Sequence, residues 1–392
     1  MDAGSERRFA AFVESISSIL GHVDRIAPFR SYCTGLILPG ERKSVEPIAA
    51  PVEPARVQAA HQSLHHFVAK AEWSDEAMLR QVRAHVLPMI EKHGPIKAWI
   101  IDDTGFPKQG VHSVGVTRQY CGQLGKQDNC QVAVSLSVAN DHASLPIAFR
   151  LYLPEDWAKD SARRRKAAVP EDIVFKTKPQ IALDQIRAAQ AEGVPGGVRR
   201  PPTLLRRDAQ NKPASAKQLA MSLPEDAWRQ IEWREGTNEN LGSRFAAVRV
   251  RPAHRDYWRS TPHAEEWLLV EWPQGEYEPT KYWLSTLSPD TSLSALVEHA
   301  KLRWRIERDY QELKQELGLD HYEGRGWRGF HHHMTLCVAA YGFLVSERSL
   351  IPPSGVKTTM LKAPPLPEGY QPRGSAGQTR TPRRVVNRQH PH

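Results

Sequence analysis

Arg303, Glu307 and Lys314 stand four and seven residues apart in the strongly helical stretch KLRWRIERDYQELKQELGL, residues 301–319. At about 100° per residue they fall within roughly 40° of one another, so a helix presents all three on one face. Ile306, Tyr310, Leu313 and Leu317 form an apolar stripe beside that face, and Arg305, Arg308, Asp309, Glu312 and Glu316 are expected to point away. Glu307 therefore sits at the rim of a packed interface. An acidic pair, Asp102 and Asp103, ends the short apolar run KAWIIDD. Neighbours on a strand face opposite sides, so only one of the two can share a site with Glu307, and the spacing to Thr104 favours Asp102, leaving Asp103 as a turn former or supporting partner. An acid on a strand and an acid on a distant helix are hard oxygen ligands on rigid elements. That is what holding Mg²⁺, or Mn²⁺ in its place, against phosphate oxygens requires. Arg303 and Lys314 would steady the phosphate or the carboxylates themselves.

Each feature has an ordinary reading as well. Arg303 with Glu307 is also an i, i+4 ion pair worth about 0.3–0.5 kcal/mol, and two acids at a strand end commonly make a turn. Only their combination with the rest of the chain points to chemistry. His331, His332 and His333 are consecutive, so on a helix they point in three directions and do not chelate one ion together. Trp267, Trp272, Trp283, Trp304 and Trp327 read as packing anchors. Cys33, Cys121, Cys130 and Cys337 are scattered without a CxxC pair, which indicates neither a zinc ribbon nor a disulfide framework.

The elements that would position these groups follow from hydrophobic period. Residues 5–92 read as helical, in FAAFVESISSIL, VQAAHQSLHHFVAKA and DEAMLRQVRAHVLPMIEKH, with a break from Pro39 to Pro54 and an N-cap at Ser74 or Asp75. From Ile96 the period changes to two: KAWIIDDTGF, CQVAVSLSVAN and SLPIAFRLYLP are three strands in meander order, the first joined to the second by a polar loop from Pro107 to Asn129. KPQIALDQIRAAQAEG is a helix stopping at Gly193. A strand is expected next, to return the chain to the sheet, but VPGGVRRPPTLLRRDAQNKPASAKQ offers no apolar run beyond Thr203 to Leu205. SRFAAVRVRPAH, EEWLLVEWP and TKYWLSTL form a second β-rich section, and MTLCVAAYGFLVSER is a buried helix. Residues 352–392 carry seven Lys or Arg against one Glu among many Pro, Gly, Ser and Thr, and read as a disordered basic tail.

Composition agrees with a polyanion partner: Lys plus Arg number 53 against 44 Asp plus Glu, a net charge of +9. No apolar run approaches a membrane span and no signal peptide opens the chain, so a reducing cytoplasm is the expected compartment.

Arg303-x3-Glu307-x6-Lys314, with IDDTGF at the first strand, resembles the signature of DDE transposases of the bacterial insertion-sequence type. HQSLHHFVAKAEW, HSVGVTRQYCGQLGKQDNCQVAVSLS, TKYWLSTL and EGRGWRGFHHHMTLC are similar to one branch of that family, and the likeness runs from about residue 10 to 355. The resemblance implies an α/β protein with an RNase H-like core, a mixed sheet with flanking helices, over residues 96–350. It implies a β-rich insertion at about 200–290 and an N-terminal helical DNA-binding domain at 1–95. It further implies cut-and-paste movement of DNA with Mg²⁺, with Asp102 and Glu307 catalytic and, with Asp103, metal-ligating, and Arg303 and Lys314 assisting. The partners would be the element's terminal inverted repeats and target DNA, bound by a homodimer at the bacterial nucleoid. Two departures stand out. The Tyr that often precedes the Arg by three residues is Ala300 here. The family's second Asp belongs on a strand just after the first core helix, yet no apolar run ends in Asp between Gly193 and Asp208, and Asp208 lies in a polar stretch. The alternatives to an active transposase are a remnant that binds DNA without cutting and a different metal-dependent nuclease.

Overall fold

A computed structural model describes residues 3–196, 205–206, 214–235, 240–253 and 264–350. The expected basic tail, Asp208 and most of the segment where a strand was sought lie outside the described residues.

The chain opens with α1 (Ala3–Ser17), α2 (Ile26–Ile37), α3 (Val45–Val52), α4 (Val57–Ala69) and α5 (Asp75–Glu91). Ser74 caps α5, its hydroxyl accepting from the Ala77 amide at 3.1 Å. The expected break at Pro39–Pro54 is instead partly helical. Pro47 falls in the first turn of α3, where a missing N–H costs no hydrogen bond, and Pro51 comes only in its last turn.

The first sheet contains β1 (Ala98–Pro107), β2 (Thr117–Cys121), β3 (Lys126–Ala139) and β4 (Ser144–Leu151). β3 is central, with β1 on one side and β2 and β4 pairing with successive parts of the other. The loop expected from Pro107 to Asn129 thus contains a hairpin. Its strand residues Arg118 and Tyr120 are exposed, so the stretch is too polar to read as a strand, and Gly125 at φ +63° reverses the chain.

α6 (Glu155–Lys159), α7 (Ser161–Lys166) and α8 (Lys178–Ala191) follow. A Thr177–Gln180 capping box starts α8, and Gly193 at φ +66° ends it as expected. Among the described residues no strand then joins β1: the two residues of β5 (Leu205–Arg206) pair with Pro252 and Arg251 in a second sheet. That sheet holds β6 (Arg229–Glu235), β7 (Asn240–Pro252), β8 (Glu266–Trp272) and β9 (Lys281–Ser285), preceded by α9 (Ala216–Met221). The last three strands are those read from the sequence; β6 was not. The architecture is α/β, but every strand pair among the described residues is antiparallel, so the parallel part of the expected mixed sheet is not seen.

α10 (Leu293–Lys301), α11 (Arg303–Gln315) and α12 (Trp327–Arg348) complete the described fold. α12 is buried along most of its length and packs against α5, α2 and β4, so the N-terminal helices and the first sheet share one apolar core from Phe9 to Val345. No described helix is long and apolar enough to cross a membrane. The stripe Ile306, Tyr310, Leu313 and Leu317 is buried as expected. Asp309 is not on an outward face. α12 covers a second side of α11, and the Tyr341 hydroxyl donates to Asp309 Oδ1 at 2.7 Å.

Burial pushes the Asp309 carboxyl up to about 6. Folding therefore takes up a proton here: the stabilisation is fully present below about pH 4 and is lost as pH rises through 6. Asn keeps the acceptor for Tyr341 without the charge. Relative to wild type, Asp309→Asn should gain stability between pH 4.5 and 7.5, on the order of 2–3 kcal/mol by urea denaturation. A difference that does not change with pH would contradict this.

Candidate active site

β1 carries Asp102 opposite Ser135 of β3, and α11 crosses that part of the sheet. The approach is fixed by the buried stripe and by Lys314, whose Nζ donates to the Gly105 carbonyl at 3.0 Å and to Gln123 Oε1 at 3.1 Å while lying over the Phe106 ring. Burial lowers the Lys314 pKa, with the Asp320, Cys121 and Asp102 charges opposing it. Tyr310 adds a contact, hydrogen-bonding to the Ser135 hydroxyl beneath Asp102.

Where α11 begins is set by the second sheet. Lys301, the last residue of α10, pairs with buried Glu271 of β8 at 2.6 Å and lies 3.8 Å from the Trp233 ring centroid. The chain turns at Leu302, and α11 starts at Arg303 rather than running on unbroken from 301 as the sequence suggests.

Arg303 then reaches both acids. Its Nη2 is 3.1 Å from Asp102 Oδ1 and its Nε 4.0 Å from Glu307 Oε1. The carboxylates of strand and helix are thus brought to one guanidinium, Asp102 largely buried and Glu307 69% exposed. Burial raises the Asp102 pKa most; Arg303 and the Asp103 amide pull it down, while the Asp103 and Glu307 charges push it up. Asp103 is not part of this group. Its Oδ2 pairs with Lys178 of α8 at 2.7 Å, as alternation along a strand requires.

Beside Glu307 lies a cavity of about 370 Å³, lined also by Tyr310, Lys314, Asp320 and His321. Asp320, for which the sequence carried no expectation, is the second acid lining this cavity beside Glu307. Only its place just beyond the Gly318 turn at the end of α11 could have signalled it.

Asp102 and Glu307 suit one divalent ion of the kind held by one or two carboxylates plus substrate phosphate oxygens. Arg303 now balances the charge that such an ion would neutralise. Among the described residues no three His, Cys, Asp or Glu side chains converge to hold a metal, so a centre for two ions is not built from them. The triplet His331–His333 is structural. His331 lies against the Trp327 carbonyl, His332 stacks on Trp73, and His333 bonds to Tyr32 and to the Gly318 carbonyl.

Residues 16–199 match the family model described as DDE superfamily endonuclease, and residues 176–343 match that of the transposase DDE domain. A probable transposase for insertion sequence element IS701 from Microchaete diplosiphon is 26% identical over 282 residues, covering 67% of this chain and 69% of that protein. The chain belongs to the DDE transposases of the insertion-sequence type. Both model matches extend into the site, the first through Asp102 and the second through Arg303, Glu307 and Lys314.

In this DDE transposase, Arg303 holds the Asp102 pKa below the value that burial alone would set. Replacing Arg303 with Gln should therefore raise it further, read as an upward move of the Asp102 carboxyl titration by ¹³C NMR. A titration that stays in place would show that the two groups do not touch in solution.

Proposed function

We propose that this chain is a transposase that binds the terminal inverted repeats of its insertion sequence and cuts and joins DNA strands at a Mg²⁺-dependent centre built on Asp102 and Glu307. The observation that carries this reading is the convergence of a strand carboxylate and a helix carboxylate on Arg303. In this reading β1 to β4 are part of an RNase H-like core, and the homodimer grips DNA ends through its N-terminal helices and works at the bacterial nucleoid. Bound Mg²⁺, or Mn²⁺, would polarise the scissile phosphate and lower the pKa of the attacking water or hydroxyl. Asp102 and Glu307 would hold the ion. Arg303, released from its carboxylate partners, would hydrogen-bond a phosphate oxygen in bidentate fashion. Lys314 keeps α11 docked on β1 through Gly105, so it positions Glu307.

A second reading, binding of DNA ends without cutting, is favoured by the edge position of β1 and by the lack of a third converging carboxylate among the described residues. A centre short of one ligand leaves the ion's charge under-balanced and its geometry loose.

Nicking of labelled DNA carrying the element's ends, with Mg²⁺ or Mn²⁺, decides between them. The first reading expects metal-dependent nicks that Asp102→Ala and Glu307→Ala each reduce by at least about a hundredfold, with gel shifts unchanged. Gel shifts without nicks from the wild type would establish the second reading, and nicking that survives both substitutions would dismiss the site.

A further inference from the structure

The N-terminus of α12 opens on a cleft of about 460 Å³ that contains none of Asp102, Arg303, Glu307 or Lys314. Lys70 at the end of α4, Lys166 at the end of α7 and Arg325 before α12 line it. Among the described residues none of these three side chains has an ion-pair partner. Of the lining acids, Glu323 is already paired with Arg42, and Glu46 lies in the first turn of α3.

The wall between these cations offers hydrogen-bond donors that no described protein group takes up. Tyr322 is 7% exposed, yet its hydroxyl has no hydrogen-bond partner among the described residues. It lies over Gly324 and Gly329, where a Cβ at either position would collide with it. The cap of α12 is Gly326, which has no side chain to offer, and the Arg328 and Gly329 amides find no backbone acceptor among the described residues. Three cations, the unpartnered hydroxyl of a buried tyrosine and the free amides of a long helix are a binding set for a tetrahedral oxyanion.

We propose that this cleft seats a phosphodiester of duplex DNA, as a contact separate from the cutting centre. The proposal rests on the DNA-binding reading above. The cleft, about 460 Å³, is larger than one phosphate needs, and its cations come from three separate segments of the chain. Arg165, next to Lys166 in sequence, is exposed as well and adds positive charge to the same short helix.

The full-length chain is titrated with a fluorescent duplex carrying the element's end, by anisotropy over a NaCl series. Lys166→Ala/Arg325→Ala changes exposed side chains only and should melt like the wild type. It is expected to weaken binding about tenfold and to flatten the dependence of log K on log salt by about 1, corresponding to one lost phosphate contact. Tyr322→Phe should weaken binding about two- to tenfold, the range for one lost hydrogen bond. The charge-matched control Lys92→Ala/Lys217→Ala should keep the wild-type affinity. If the wild type binds and Lys166→Ala/Arg325→Ala matches the control in affinity and slope, the cleft is not a DNA contact although the chain still binds DNA. If the wild type does not bind DNA at any salt, the functional reading fails and this proposal with it.

Discussion

The buried stripe of α11 and the Lys314 bond to the Gly105 carbonyl dock the helix on β1, and that docking brings Asp102 and Glu307 to the one guanidinium of Arg303. Solvent screens this group, since Arg303 is 59% and Glu307 69% exposed, so the guanidinium offsets the repulsion between the two carboxylates without fixing the docking by itself. Its position depends on two remote anchors. Lys314 fastens the middle of α11 to the Gly105 carbonyl of β1, and Lys301 fastens the preceding turn to Glu271 and Trp233 of the second sheet. The second sheet thus holds the residue two positions before Arg303.

The same strand has a free edge among the described residues. β1 is hydrogen-bonded to β3 on one side, and on the other it faces the second sheet across a small cavity of about 160 Å³, lined by Trp99, Ile101, Trp283 and Leu296 among others. The chain returns to this edge after α8: the Trp99 indole donates to the Pro195 carbonyl at 2.5 Å, and Gly196 lies so close that a Cβ would come within 2.8 Å of the ring. It makes no strand there among the described residues. Among the described residues β1 is therefore an edge strand, with no neighbouring strand to bring a further carboxylate beside Asp102.

Much of this was legible in the sequence, because period and capping residues dominate locally. Ser74, Gly193, the alternation in residues 130–139 and the stripe from Ile306 to Leu317 each specified an element correctly. The pairing of Asp102 rather than Asp103 with the helix face also followed from strand alternation. What the sequence concealed depends on tertiary context. The β2 hairpin is polar on its exposed face, and α3 forms across two prolines because they fall in its end turns. Asp309 looks like a surface acid until α12 is laid over it. The break at Leu302 has no breaker residue, and it arises because Lys301 is drawn into the second sheet. The cleft at Lys70, Lys166 and Arg325 joins segments far apart in the chain, so no local pattern announces it.

The central claim is that Asp102 and Glu307 form one centre. Titration of Mn²⁺ followed by its solution EPR signal tests this without requiring any turnover. The account predicts a bound-ion population in the wild type that disappears in Asp102→Asn and, equally, in Glu307→Gln. Retention of that population in either variant, or loss in only one, would show that the two carboxylates do not act on a common ion.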